Sequence, residues 1–121
     1  MDKRRRNAID KLDDLVRDKI LAKHPNCLLS GKPATEVHHY IHKSRNMKYR
    51  FDERNLLPVS RIPHGLAEKG EIPYSEVVGK ALYWDIISEK ELEEIENDNT
   101  INKIYTHELE DMVKELTWNI V

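Results

Sequence analysis

The first long pattern in the chain is helical. Ile9, Leu12, Leu15, Val16 and Ile20, with Leu21, recur three and four apart over residues 7–24, and charged residues stand between them. That period lays an apolar stripe along one helix face, and Pro25 stops it. Residues 26–34 hold Gly31 and Pro33 and predict a turn or knuckle. Residues 35–41, Thr-Glu-Val-His-His-Tyr-Ile, are β-branched and aromatic and predict a strand. Residues 42–54 are polar and basic and predict a loop with a turn inside. Residues 56–59 predict a second short strand, on an edge because Pro58 has no N–H to donate.

The remaining pattern is again helical. A short helix is predicted from Arg61 to Lys69, with Ser60 as its N-cap, Pro63 in its first turn and Gly70 as its stop. Residues 73–87 predict a helix that buries Val77, Val78, Ala81, Leu82 and Trp84. Ser88 and Glu91 have the spacing of a capping box, opening a helix that runs to about Asp98. The last helix is expected from about His107 to Thr117, with Leu109, Met112, Val113 and Leu116 on one face. The fold class is therefore α+β, mainly helical, with one small β element in the middle.

Composition narrows the function classes. A chain of 121 residues is the size of one domain, so residues 1–121 are read as a single domain. Hydrophobic residues make up 39%, enough for one modest core. Mean hydropathy is −0.72, so the surface is well solvated. The longest apolar run is four residues, 81–84, whereas a membrane-spanning helix needs about 20; no membrane partner is expected. The basic start, Lys3-Arg4-Arg5-Arg6, is followed by no apolar stretch, which predicts no secretory signal. Cys27 is the single cysteine, so neither an internal disulfide nor a four-thiolate zinc site can form, and a reducing, cytoplasmic home is expected. The net charge of −2 hides a split: residues 85–121 carry eleven acids against three lysines, a balance of −8, leaving +6 on residues 1–84. Such a split suits one part that meets nucleic acid and another that does not, and equally suits solvated helix faces.

The chemistry-bearing residues gather at the β element. His38 and His39 lie in the first strand, Asn55 sixteen residues after His39, His64 nine further on, and Glu68 four after that. His64 and Glu68, at i and i+4, share one helix face. Together with a strand histidine they could hold one divalent cation. The other strand histidine would remain free to take a proton from an attacking water, and an Asn amide could fix its ring. Lys43, Arg45, Lys48, Arg50 and Arg54 in the adjoining loop could hold a phosphate backbone. Taken singly, each of these residues has an ordinary alternative: strand histidines, a solvated loop, Arg50 and Arg54 paired with Asp52 and Glu53. His42 is read as a loop residue, His107 as structural, and His24 with Cys27 as an incomplete metal pair. Tyr49 and Phe51 are read as core or loop anchors, and Trp84 and Trp118 as core or interface anchors.

The residues Glu36-Val37-His38-His39-Tyr40-Ile41, then Arg54-Asn55-Leu56-Leu57-Pro58-Val59, then His64 resemble the HNH (ββα-metal) endonucleases. The likeness extends over about residues 10–115 to the phage Rap/NinG-type recombination nucleases, through the leading helix, Cys27-Leu28-Leu29-Ser30-Gly31, Ser44-Arg45-Asn46 with Arg50-Phe51-Asp52, and the acidic tail. The resemblance implies a hairpin–helix ββα-metal core over 26–70, flanked by an N-terminal helix over 7–24 and a helical acidic tail over 73–121. It implies His38, His64 and Glu68 as metal ligands, His39 as general base, and Asn55 as the residue that orients the base and supports the loop. It further implies a phage-encoded, metal-dependent DNA endonuclease acting in recombination or DNA processing, with branched DNA among its substrates. The metal is left open among Mg, Mn, Zn and Ni. A homodimer would suit a nuclease that cuts two strands. The chain departs from the pattern at the knuckle: where related proteins have two Cys-x-x-Cys pairs, this one has Cys27 with Ser30 and Ser60 with Pro63. No structural zinc is expected there, and Leu28, Leu29, Val59 and Ile62 are expected to close the gap. That loss also motivates an alternative, a catalytically inactive HNH-derived DNA-binding or adaptor protein. A third class is a protein-binding module built on the acidic tail.

Overall fold

A computed structural model describes residues 2–120, the side chains of residues 119 and 120 excepted; both ends of the span read as one domain, residues 1 and 121, lie outside the described residues. The elements are α1 (Lys3–Lys23), β1 (Glu36–His39), β2 (Leu56–Val59), α2 (Arg61–Glu68), α3 (Tyr74–Tyr83), α4 (Glu89–Asn97) and α5 (Thr106–Ile120). Two single-turn 3-10 helices, Met47–Tyr49 and Glu53–Asn55, lie in the long connection between the strands. The fold is mainly helical α+β with one antiparallel two-stranded sheet.

α1 begins four residues earlier than the apolar period predicts. Asp2 caps it, its carboxylate accepting from the Arg5 N–H at 2.9 Å, and the four basic residues that follow are tolerant helix formers. Ala8, Ile9, Leu12, Val16 and Ile20 are buried. Leu12 and α5's Leu109 are fully enclosed, and Met112, Val113 and Leu116 pack around them.

In the hairpin, Glu36 pairs with Val59, Val37 with Pro58, His38 with Leu57 and His39 with Leu56. Alternation sends Glu36 and His38 to one face of the hairpin, Val37 and His39 to the other. Leu57 and Val59 belong to an apolar cluster with Tyr40, Val77, Ala81, Ile87 and Ile95. Val37 and Leu56 belong to the α1–α5 cluster. The hairpin is thus the wall between two cores, which is why all four residues of β2 are buried. With only two strands both are edge strands, and the Pro58 carbonyl still accepts from Leu28 N–H at 3.1 Å.

Several boundaries differ from expectation, each for a local reason. The first strand is four residues, not seven. Past His39 the chain turns to serve Asn55, which bonds both backbone groups of Ile41. α3 stops at Tyr83 instead of residue 87, where Asp85 takes a left-handed conformation (φ 58). That reversal buries Ile87 and leaves Trp84 half exposed against Tyr83, rather than in the core. Ile62, expected to fill the knuckle, is 77% exposed on α2, whereas Leu28 and Leu29 pack against the core as anticipated. The Ser88–Glu91 capping box is formed. Among the described residues no helix is long and apolar enough to cross a membrane.

The α1–α5 contact rests on few large side chains, so truncating a central one leaves a cavity. Leu109→Ala is expected to cost about 2–5 kcal/mol of stability, read as a lowered urea midpoint at unchanged slope.

Candidate metal centre

α2 packs on the hairpin face that carries Glu36 and His38. One turn of helix separates His64 from Glu68, so both side chains aim at that face. One ligand atom from each of His38, His64 and Glu68 lies within 4.8 Å of the other two. The His38 and His64 rings meet edge-on, centroids 5.2 Å apart. The three expected metal ligands are therefore brought together.

Two features of this cluster suit a cation. First, His64 stands between two carboxylates: Nδ1 is 2.5 Å from Glu36 Oε1 and Nε2 is 3.0 Å from Glu68 Oε1. An imidazolium satisfies both, whereas a neutral imidazole donates one proton and satisfies only one of them; with the neutral ring, a cation on the Nε2 side would serve the other. Second, His38 Nδ1 is buried and has no hydrogen-bond partner among the described residues. Buried polar atoms are rarely left so. His38 is 5% exposed, and burial, aided by the neighbouring His64, pulls its pKa down to about 4. It is therefore neutral at pH 7, the form that donates a lone pair to a metal. The donor set, two imidazoles and one carboxylate, suits a divalent transition metal.

Glu36 opens the segment that carries the resemblance but has no role assigned to it there. Its Nδ1 contact fixes which nitrogen of His64 faces the cluster, the usual work of a carboxylate behind a ligating histidine. The signal was present: in a strand, the residue two before His38 shares its face.

His39 lies on the opposite face of the hairpin. Its Nε2–H donates to the Arg50 carbonyl at 2.8 Å. A carbonyl only accepts, so the proton sits on Nε2 and the Nδ1 lone pair is left open. His39 lines a cleft of about 440 Å³ together with His64, Glu36 and Asp13. It also lines a second cleft on the loop side.

Among the described residues Asn55 makes no hydrogen bond to His39, which corrects the expectation of direct orientation. It is 2% exposed and stitches the loop. Its Oδ1 accepts from Ile41 N–H at 2.7 Å, and its Nδ2 donates to Ile41 O at 2.9 Å and Tyr49 O at 3.2 Å. These bonds fix the backbone two residues after His39 and one residue before Arg50, whose carbonyl holds the His39 ring. Its influence on His39 passes through the loop.

The basic loop is largely tied to the protein itself. Arg50 makes a two-point pair with Asp13 (3.1 and 2.7 Å), and Arg54 pairs with Asp52 (2.6 Å) and Glu91 (3.2 Å). The alternative of pairing within the loop is met by Arg54 with Asp52, whereas Arg50 reaches across to Asp13 on α1. Lys48 pairs with Asp98 at 3.1 Å, and Lys43 donates to the carbonyls of Glu96 and Asp98 at the end of α4. Arg45 is exposed and its backbone bonds Asn102.

At the knuckle, Cys27, Ser30 and Ser60 do converge. The two serine hydroxyls are 3.1 Å apart. Burial pushes the Cys27 thiol up, but hydrogen bonds from Ser30 and Ser60 outweigh it and bring the pKa to about 7. Of the remaining histidines, His42 is exposed, His24 ends α1, and His107 stacks on Tyr105. No family model matches the chain, and no curated protein or solved structure matches it at a significant level.

The displaced pKa of His38 makes a stability prediction for the metal-free chain. An unfolded histidine titrates near 6.5, but His38 in the fold titrates near 4. Between those values the unfolded state holds more protons, so stability rises with pH. The contribution is full above about 6.5 and is lost as pH falls through 4, reaching about 3 kcal/mol. His38→Gln is expected to lack this part of the pH dependence, measured as the difference between the two unfolding curves from pH 7 to pH 4.

Proposed function

We propose that the chain is a metal-dependent endonuclease of the HNH (ββα-metal) type that hydrolyses DNA phosphodiester bonds. The observation that carries this reading is the convergence of His38, His64 and Glu68 in a donor set that suits a cation, with His39 sharing a cleft with His64 and one of its ring nitrogens open. His38, His64 and Glu68 would hold one divalent ion. Bound there, the ion supplies Lewis-acid stabilisation of charge on the phosphate and leaving oxygen.

The chain's own residues do the rest. His39 Nδ1 takes the proton from water as it attacks phosphorus, and the Arg50 carbonyl keeps the ring in the tautomer that can do so. Glu36 holds His64 with Nε2 forward. Asn55 keeps the loop that bears the Arg50 carbonyl from moving away. By resemblance, the setting is phage recombination or DNA processing, with branched DNA as a substrate. The carboxylates of α4 and α5 would repel a phosphate backbone, which would meet only the end of α4 and the start of α5, where Lys43 and Arg5 are bonded.

The replaced knuckle thiols favour one rival, a DNA-binding or adaptor protein without turnover. It predicts DNA binding with no product that depends on Mg²⁺ or Mn²⁺.

Plasmid and four-way-junction nicking in Mn²⁺, with a chelator control, separates the two. His39→Ala is expected to slow nicking by about 10²–10⁴-fold while keeping the thermal stabilisation that Mn²⁺ gives. His64→Ala is expected to lose both. His39→Ala cutting as fast as the parent would remove the base assignment. A parent that binds DNA and never cuts would favour the rival.

A further inference from the structure

The second cleft beside His39, about 510 Å³, lies between the start of α1 and the 42–50 loop. Arg5, His39, His42, Lys43 and Arg50 line it, over an apolar floor that includes Ile9 and Ile41. No Asp or Glu is among its lining residues, in a chain with 22 acids against 20 lysines and arginines. The neighbouring cleft shared by His39 and His64 is of mixed charge, lined by Asp13, Asp14 and Glu36 together with Arg17 and Arg50. His39 stands at the junction of the two.

The cations of this cleft differ in how they are held. Arg50 is neutralised by Asp13. Lys43 donates to two carbonyls, and among the described residues no carboxylate lies within ion-pair distance of it. Arg5 is partly buried, yet its guanidinium is held by Met47 Sδ at 3.1 Å and Thr106 Oγ1 at 3.5 Å, two weak neutral acceptors. Among the described residues no carboxylate lies within ion-pair distance of the Arg5 side chain, although Arg4 next to it is paired with Glu110. A planar, fork-shaped cation in a partly desolvated site without an anion suits a phosphate oxygen pair.

We infer that this cleft, with Arg5 as its anchor and Lys43 and His42 beside it, seats the sugar-phosphate backbone of the nucleic-acid strand next to the bond that is cut. The inference rests on the phosphodiesterase reading and names a residue, Arg5, outside the basic loop. It also reverses the weight of that loop: Lys48 and Arg54, bound to carboxylates, contribute little to backbone contact.

The test is equilibrium binding of the full chain to a fluorescein-labelled four-way junction and to a plain duplex, by anisotropy in a chelator, from 25 to 200 mM salt. Arg5→Gln is expected to weaken binding about five- to tenfold at low salt. It should also make the plot of log affinity against log salt shallower by about 0.9. Arg5→Lys is expected to recover most of the affinity, which shows that Arg5→Gln acts through charge and not through misfolding. Lys48→Gln is expected to stay within about twofold of the parent. Arg5→Gln with the parent's affinity and slope overturns the inference. A parent that binds neither DNA at 25 mM salt overturns the inference and the nucleic-acid reading together. A parent that binds through Arg5 yet never cuts in Mn²⁺ supports the cleft and removes the nuclease.

Discussion

The site depends on the alternation of two adjacent histidines along one short strand. Because successive side chains in a strand point to opposite faces, His38 is turned toward α2 and His39 toward the loop. A single-residue slip of register would exchange them. The slip is prevented by what lies opposite. Leu57 and Leu56 are fully buried in different apolar clusters, so the hairpin cannot shift without pulling each from its core. Packing of ordinary leucines thus determines which imidazole joins the carboxylates and which is left with a free nitrogen.

Around that wall the charged residues divide the labour between building the loop and facing the clefts. Lys48, Arg50 and Arg54 each close an ion pair that ties the loop to α1, α4 or the segment after α4. Asn46 adds bonds to Thr100, and Met47 to Asn102. The acidic tail is therefore a partner of the basic loop as well as a solvated surface. Its carboxylates hold the loop that holds the Arg50 carbonyl, and through it His39.

Much of this was legible in the sequence, because the signals were local. The helical period, the Ser88–Glu91 cap and the i, i+4 spacing of His64 and Glu68 each report on a few neighbouring residues, and each element formed. The clustering of His38 with His64 and Glu68 was anticipated from a spacing that resembles a known motif, and the geometry brings those three together. What escaped was non-local. Arg5 and Arg50's partner Asp13 lie on α1, far along the chain from the loop, and no pattern links them to it. The early end of α3 depends on one left-handed residue, Asp85, which carries no glycine signal. The role of Glu36 was missed although strand alternation pointed to it.

Anomalous diffraction from crystals soaked in Mn²⁺ tests the central geometry most directly. One strong peak bonded to His38, His64 and Glu68 is expected, with Glu36 still on His64 Nδ1 and His39 unligated. Crystals that take up Mn²⁺ elsewhere, or not at all, with His38 and His64 turned apart, would contradict that geometry.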